Sequence, residues 1–273
     1  VNTKTLSNRA LSVIDQYLHF KAGQAVCSVP YFNNKTVGAR GALSVYVGKG
    51  SPKEIFDEVQ SLAVKNHIDM GALTDESSKK LLVDNNIGID CSGFSYYILN
   101  AESEELGKNS LGKHLKFIHA HGIFGRFLSA LNPVKNTDVE TLADDKNSHI
   151  VSLKDLRPGD MITMTKSQEV INRNHILVIH QVEYQNFIPI KIHYSHVIAY
   201  PEDGIYGTGV KQGIIEIMKP EAGLLEQNWN EDGLAKHDPA GSPADRQGKE
   251  VGQNRIFVRT QRSKTELRRL KWL

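Results

Sequence analysis

The sequence predicts an α+β protein. Helical periodicity dominates the first half, β-type runs crowd between residues 150 and 218, and the two kinds of segment are segregated rather than alternating. A chain of 273 residues, 40% hydrophobic and 23% charged, can bury a sizeable core, as one large domain or two small ones. The expectation is a single catalytic domain over 1–273, with inserts at about 51–84 and 104–149 and an irregular basic extension from about 220.

Along residues 5–20, Leu6, Ala10, Val13, Ile14, Tyr17 and Leu18 fall at helical spacing and predict an amphipathic helix. Residues 24–50 interleave β-branched and aromatic side chains with Gly38, Gly41, Gly48 and Gly50, the pattern of extended structure broken by turns. Ser51-Pro52 supplies an N-cap and a first-turn proline for a helix through roughly 53–65, and a further helix is expected over 75–84. From Cys91, the apolar positions Phe94, Tyr97, Ile98 and Ala101 predict a helix. Residues 111–132 continue helical, and 134–149 reads as a polar loop or insertion. MITMT, HILVIHQVEY, IKIHYSHVIAY and GIIEIM are short strand-like runs separated by Pro, Gly and Asn. Residues 220–254 read as irregular, RIFVRT as a last strand, and 263–272 as a closing basic helix.

A net charge of +2 carries no global field toward nucleic acid or an anionic membrane surface. The local cations Arg259, Arg262, Lys264, Arg268, Arg269 and Lys271 read as a solvated helix face or tail. No apolar run approaches the ~18 residues of a membrane span. No signal peptide is visible, and the opening Val1 reads as a processed or trimmed chain. Two cysteines, Cys27 and Cys91, allow one disulfide but neither a disulfide framework nor a Cys-rich zinc site.

The most informative segment is Gly88-Ile89-Asp90-Cys91-Ser92-Gly93-Phe94. A cysteine in the first turn of a helix sits among N–H groups that the helix leaves unused, at the positive end of its dipole. Both favour the thiolate, which is the nucleophile, and the same N–H groups suit a developing oxyanion. Gly93 allows close approach by a neighbouring chain or a substrate. The competing reading is a small buried cysteine of purely structural use.

Downstream, Leu156-Arg157-Pro158-Gly159-Asp160 is a turn feeding a strand, and Asn174-His175 opens an apolar strand. A histidine there projects toward a sheet edge, where it can act as the base that takes a thiol proton and returns it to the leaving group.

DCSGF before a helix, RPGD before a strand and His175 opening an apolar strand together resemble the NlpC/P60 superfamily of papain-like cysteine peptidases. The resemblance covers about half the chain, from Cys91 to Val210, with Leu177 standing where the family has glycine in its histidine motif. Upstream, Val29-Pro30-Tyr31-Phe32 is similar to the family's G-x-P-Y-x-(W/Y)-G segment, with Asn33 and Asn34 in place of the usual glycines. Tyr31 also lies further from the nucleophile than is usual, by the length of the helical insert at roughly 51–84.

The resemblance implies a papain-like core with the nucleophile helix packed on an antiparallel sheet. It implies Cys91 as nucleophile, His175 as base and Tyr31 as an oxyanion aid. It also implies a polar residue on the next strand that orients the imidazole. His196 is the first candidate for that last role, His193 the second, with Ser195 between them. His193 and His196 are three apart and face opposite sides of a regular strand, so both cannot serve. His180, five residues from His175, faces away from it.

The implied reaction is cleavage of peptide amides in bacterial cell-wall peptidoglycan, with no metal or organic cofactor, no nucleic-acid partner and a secreted or cell-envelope location. Two rivals are a papain-like amidase or acyltransferase on a non-wall substrate, and a catalytically silent binding module. The histidines His114, His119 and His121 lack an acidic or cysteine partner at metal-site spacing, and GKGSPKE at 48–54 lacks the order of a phosphate loop.

Overall fold

The computed structural model describes residues 1–33, 43–166, 173–200, 203–231 and 255–273. The protein is α+β with a mostly antiparallel sheet, and it divides into two compact units. One comprises Ser7–Asp138 and His196–Lys211, the other Val1–Leu6, Val139–Ser195 and Gln212–Leu273. Among the described residues, no helix is long and apolar enough to cross a membrane.

The first of these units is mainly helical and centres on α4 (Cys91–Glu105), which is buried on nearly every side. Helix α1 (Asn8–Leu18) is capped by Ser7, whose hydroxyl accepts from the Ala10 N–H. Its buried Tyr17 meets Phe94 edge to face at 5.4 Å and donates its hydroxyl to the Gly50 carbonyl at 2.7 Å. At the other end of the pair, the Ser7 N–H donates to the Glu102 carboxylate at 2.8 Å.

A short hairpin, β2 (Phe20–Ala22) and β3 (Ala25–Cys27), follows α1. Helix α2 (Pro52–Lys65) begins as Ser51-Pro52 predicts, with a full capping box between Ser51 and Glu54. Helix α3 (Asp75–Asp84), capped by Thr74, coincides with its predicted range. The helical stretch after α4 resolves into α5 (Leu111–His114), α6 (Gly122–Leu131) and α7 (Pro133–Asn136).

The described residues of the 24–50 segment are less extended than predicted. Beyond β3 and isolated bridges from Tyr31 and Lys49 to Ile89, Ser44–Val47 forms a 3₁₀ turn that Gly48 ends with φ of 72°. Gly48 is required there twice, since a Cβ would also lie 2.2 Å from the Phe32 carbonyl oxygen. The positions Asn34, Gly38 and Gly41 lie outside the described residues.

An eight-stranded sheet has most of its residues in the other unit. Its order is β4 (Ser148–Ile150), β10 (Lys264–Leu270), β5 (Met161–Thr165), β6 (His175–Gln185), β7 (Ile188–Ile198), β8 (Gly209–Glu216) and β9 (Asn228–Glu231). The eighth strand, β1 (Asn2–Thr5), pairs with the far half of β6. The four predicted strand runs are β5 to β8. An extra residue in β6 between Ile179 and Gln181 makes a bulge at His180, whose carbonyl accepts from Leu6 instead.

Three further predictions are corrected. Residues 134–149 are not a loop: α7, α8 (Val139–Ala143) and β4 occupy them, with Val139 and Leu142 buried. Elements of three to five residues are too short for an apolar period to show in sequence. Residues 220–231 are not irregular throughout, since β9 places Trp229 in the core. Its indole donates to the Leu224 carbonyl, and its ring lies 5.9 Å from that of Tyr194. Residues 232–254 lie outside the described ones.

The chain's last two elements are interchanged in type. RIFVRT is a helix, α9 (Arg255–Gln261), which buries Ile256, Phe257 and Thr260, and the basic segment is the strand β10 between β4 and β5. Lys, Glu, Leu and Arg are helix formers by propensity, and tertiary pairing overrides that here. Arg268 is buried and donates to Ser148 Oγ at 2.9 Å and to Glu266 at 2.6 Å, and it also pairs with Asp145. Arg269 donates from two nitrogens to the fully buried Asp160, at 2.7 and 2.8 Å.

Asp160 of the RPGD turn therefore has a structural task. One of its oxygens also accepts from the Arg157 N–H at 2.9 Å, so the carboxylate closes the turn and clamps it to β10. Arg269→Met is expected to cost about 2 kcal/mol, discounted from the full cost of breaking a buried pair because Arg269 keeps some exposure. An unfolding free energy from urea denaturation within about 0.5 kcal/mol of the parent protein would contradict that role for the pair.

Candidate active site

Cys91 is the first residue of α4, as predicted, and Asp90 is its N-cap. One Asp90 carboxylate oxygen accepts from the Gly93 N–H at 2.6 Å and from the Ser92 hydroxyl at 3.0 Å. The Asp90 N–H donates to the Gly48 carbonyl at 2.8 Å. The helix start is thus tied to the 48–49 segment, which crosses it closely. A Cβ on Gly93 would lie 2.9 Å from the Gly48 carbonyl oxygen and 2.9 Å from Ile89 Cδ1, so the glycine of this motif is needed for backbone approach.

Lys49 completes the cap, and it is the residue that sequence reasoning missed. Its ammonium is buried and donates to Asp90 at 2.9 Å, to Ser92 Oγ at 2.6 Å and to the Thr137 carbonyl at 2.8 Å. Three donors meet three acceptors, so the buried charge is fully satisfied. The GKGSPKE segment is therefore no anion loop: its lysine turns inward, and Ser51 with Glu54 occupies the N–H groups at the start of α2. Glycines on both sides of Lys49 were the available signal, since they allow a backbone tight enough to bury a lysine stem.

Tyr31 is brought to the same helix start. The Phe32 N–H donates to the Ile89 carbonyl and the Ile89 N–H to the Pro30 carbonyl, each at 3.1 Å, so Tyr31 is bracketed by a parallel bridge to Ile89. It is half-buried. The insert that lengthens the chain between Tyr31 and Cys91 does not separate their backbones, because it leaves and returns through this bridge.

His175 lies in the sheet unit. It opens β6, is paired with Met164 of β5, and is 2% exposed. The preceding Asn174 is fixed at both ends of its amide, accepting from the Lys166 N–H at 3.0 Å and donating to Glu140 at 2.8 Å. His196 lies on β7, fully buried, in the same unit as Cys91 and Tyr31.

His193 and Ser195 share the other face of β7 and are engaged there. His193 Nε2 is 2.8 Å from Glu183. Ser195 Oγ is 3.0 Å from His180 Nδ1 and accepts from the Gln212 amide at 3.1 Å. Burial, and then the neighbouring His193, lower the His180 pKa to about 4.

Folding thus holds the His180 imidazole neutral. Its contribution is complete above the unfolded value of about 6.5 and is lost as pH falls toward 4, a loss of about 3 kcal/mol. His180→Gln is expected to remove this part of the acid sensitivity. Urea melts at neutral pH and near pH 4 test it, and an equal acid loss in parent and variant would contradict it.

Cys27, the other thiol, is partly buried on β3, 3.5 Å from Ser78 Oγ. Burial pushes its pKa up, against the lowering by Ser78, which disfavours its thiolate. Of the three histidines of the 114–121 segment, His119 lies 3.1 Å from Asp138.

Comparison of the chain with protein-family models, with curated proteins and with solved structures finds no match.

Proposed function

We propose that the protein is a thiol hydrolase of the NlpC/P60 kind, with a papain-like core, that cleaves peptide amides of cell-wall peptidoglycan. The observation that carries this reading is the built start of α4. Cys91 stands at its first position, the carboxylate cap beneath it is neutralised by a buried lysine, and Tyr31 is bridged to the residue two before it. A cysteine needed only for packing requires none of these.

In this reading His175 takes the Cys91 thiol proton, and the thiolate sulfur attacks the amide carbonyl carbon. The oxyanion is held by the Cys91 N–H and the Tyr31 hydroxyl. His175 then gives its proton to the leaving amine, and water, deprotonated by the same imidazole, releases the acyl group. His196 orients the imidazole; His193 is the weaker choice because Glu183 already holds it.

Incubation with purified peptidoglycan, followed by mass spectrometry of the soluble products, tests the substrate. New peptide fragments that the Cys91→Ala variant does not release are expected. An intact wall alongside a reactive thiol would move the assignment to a non-wall amide or acyl substrate, and an unreactive thiol would move it to a silent binding module.

A further inference from the structure

The helix α6 has its amphipathic character turned outward. Phe124, Phe127, Leu128 and Leu131 fall at i, i+3, i+4 and i+7, the spacing that normally marks a core-facing stripe. Here those four residues are 73%, 60%, 46% and 60% exposed, while the polar Ser129 is buried. Such a stripe on a soluble surface marks an interaction site.

The surrounding sequence indicates what covers it. From Leu106 to Thr137 the chain carries Lys108, Lys113, Lys116, Arg126 and Lys135, together with three histidines, and no aspartate or glutamate. The overall net charge of +2 conceals this local excess. Lys113 and Lys116 are exposed on the approach to α6.

We infer that α6 and its basic flanks form a docking surface for an anionic lipid bilayer. The apolar stripe enters the boundary between headgroups and acyl chains, and the lysines meet lipid phosphates. A second copy of the chain would match the stripe but would bring a second excess of positive charge against the first. Nucleic acid would match the lysines but leave the stripe in water. An anionic bilayer satisfies both features, and the inference stands independently of the thiol chemistry.

Co-sedimentation of the full chain with vesicles tests it, using phosphatidylcholine alone and phosphatidylcholine mixed with phosphatidylglycerol. Binding to the mixed vesicles, weakened by salt and by omission of the anionic lipid, is expected. A Phe124→Ser/Phe127→Ser variant with an unchanged thermal melt is expected to lose at least about tenfold in partition. Lys113→Glu/Lys116→Glu leaves the stripe intact and is expected to abolish the preference for anionic lipid.

Failure to sediment with either vesicle would overturn the inference, as would binding that both variants retain. A dimer in analytical ultracentrifugation that the Phe variant dissolves, without vesicle binding, would assign the stripe to a copy interface instead. Retention by single-stranded DNA without vesicle binding would likewise overturn it.

Discussion

Replacing Cys91 with alanine is expected to reduce amide hydrolysis by about 10⁴-fold or more while leaving the thermal melt almost unchanged. The size follows from the role proposed for the sulfur. If it forms the acyl intermediate, no neighbouring group replaces it, and only oxyanion and binding contributions remain. The preserved fold follows from geometry. The cap of α4 is made by Asp90, Lys49, Ser92 and Gly93, none of which depends on the thiol. Product release followed by mass spectrometry measures the first part and calorimetry the second. Residual turnover within tenfold of the parent protein would remove Cys91 from the chemistry.

Lys49→Met is expected to give the largest loss of stability, about 3–5 kcal/mol. Both partners of the Lys49–Asp90 pair have side chains only 8% exposed, so removing the ammonium strands a carboxylate away from water. The Thr137 carbonyl and Ser92 hydroxyl lose their donor in the same step. The double variant Lys49→Met/Asp90→Asn is expected to recover part of the loss, because it leaves no unpaired charge. Urea denaturation of the four proteins closes the cycle. A single-variant loss below about 1 kcal/mol, or strict additivity, would show that the pair is not coupled. The lysine is a positioning residue in this account, so Lys49→Met is also expected to slow alkylation of Cys91 under conditions where the variant remains folded.

Much of the fold is legible in the sequence wherever local chemistry decides it. Ser51-Pro52 starts α2, Thr74 caps α3, and the Asp90-Cys91 junction starts α4, because capping is settled by residues within a single turn. The β-branched and apolar runs of β5 to β8 are equally local. What escapes the sequence is set by distant partners. The basic C-terminal segment has helical propensity, yet it becomes a strand whose Arg268 and Arg269 find Ser148 and Asp160 more than a hundred residues away. The same holds at the candidate site. DCSGF announces the helix start and the need for a glycine, while only the flanking glycines hint at Lys49, because its acceptors are Asp90, Ser92 and a carbonyl at Thr137. RPGD reads as a turn, and its aspartate turns out to be the anchor for β10.

The most direct test of the central claim is the pH dependence of Cys91 alkylation by iodoacetamide, in a Cys27→Ala background and with a His175→Ala control. Cys91 is expected to react well below the ordinary thiol pKa of ~8.5, and the control to lose this reactivity. A Cys91 that reacts only in alkali, or whose profile is the same in the control, would contradict it and make the cysteine a structural part of the helix start.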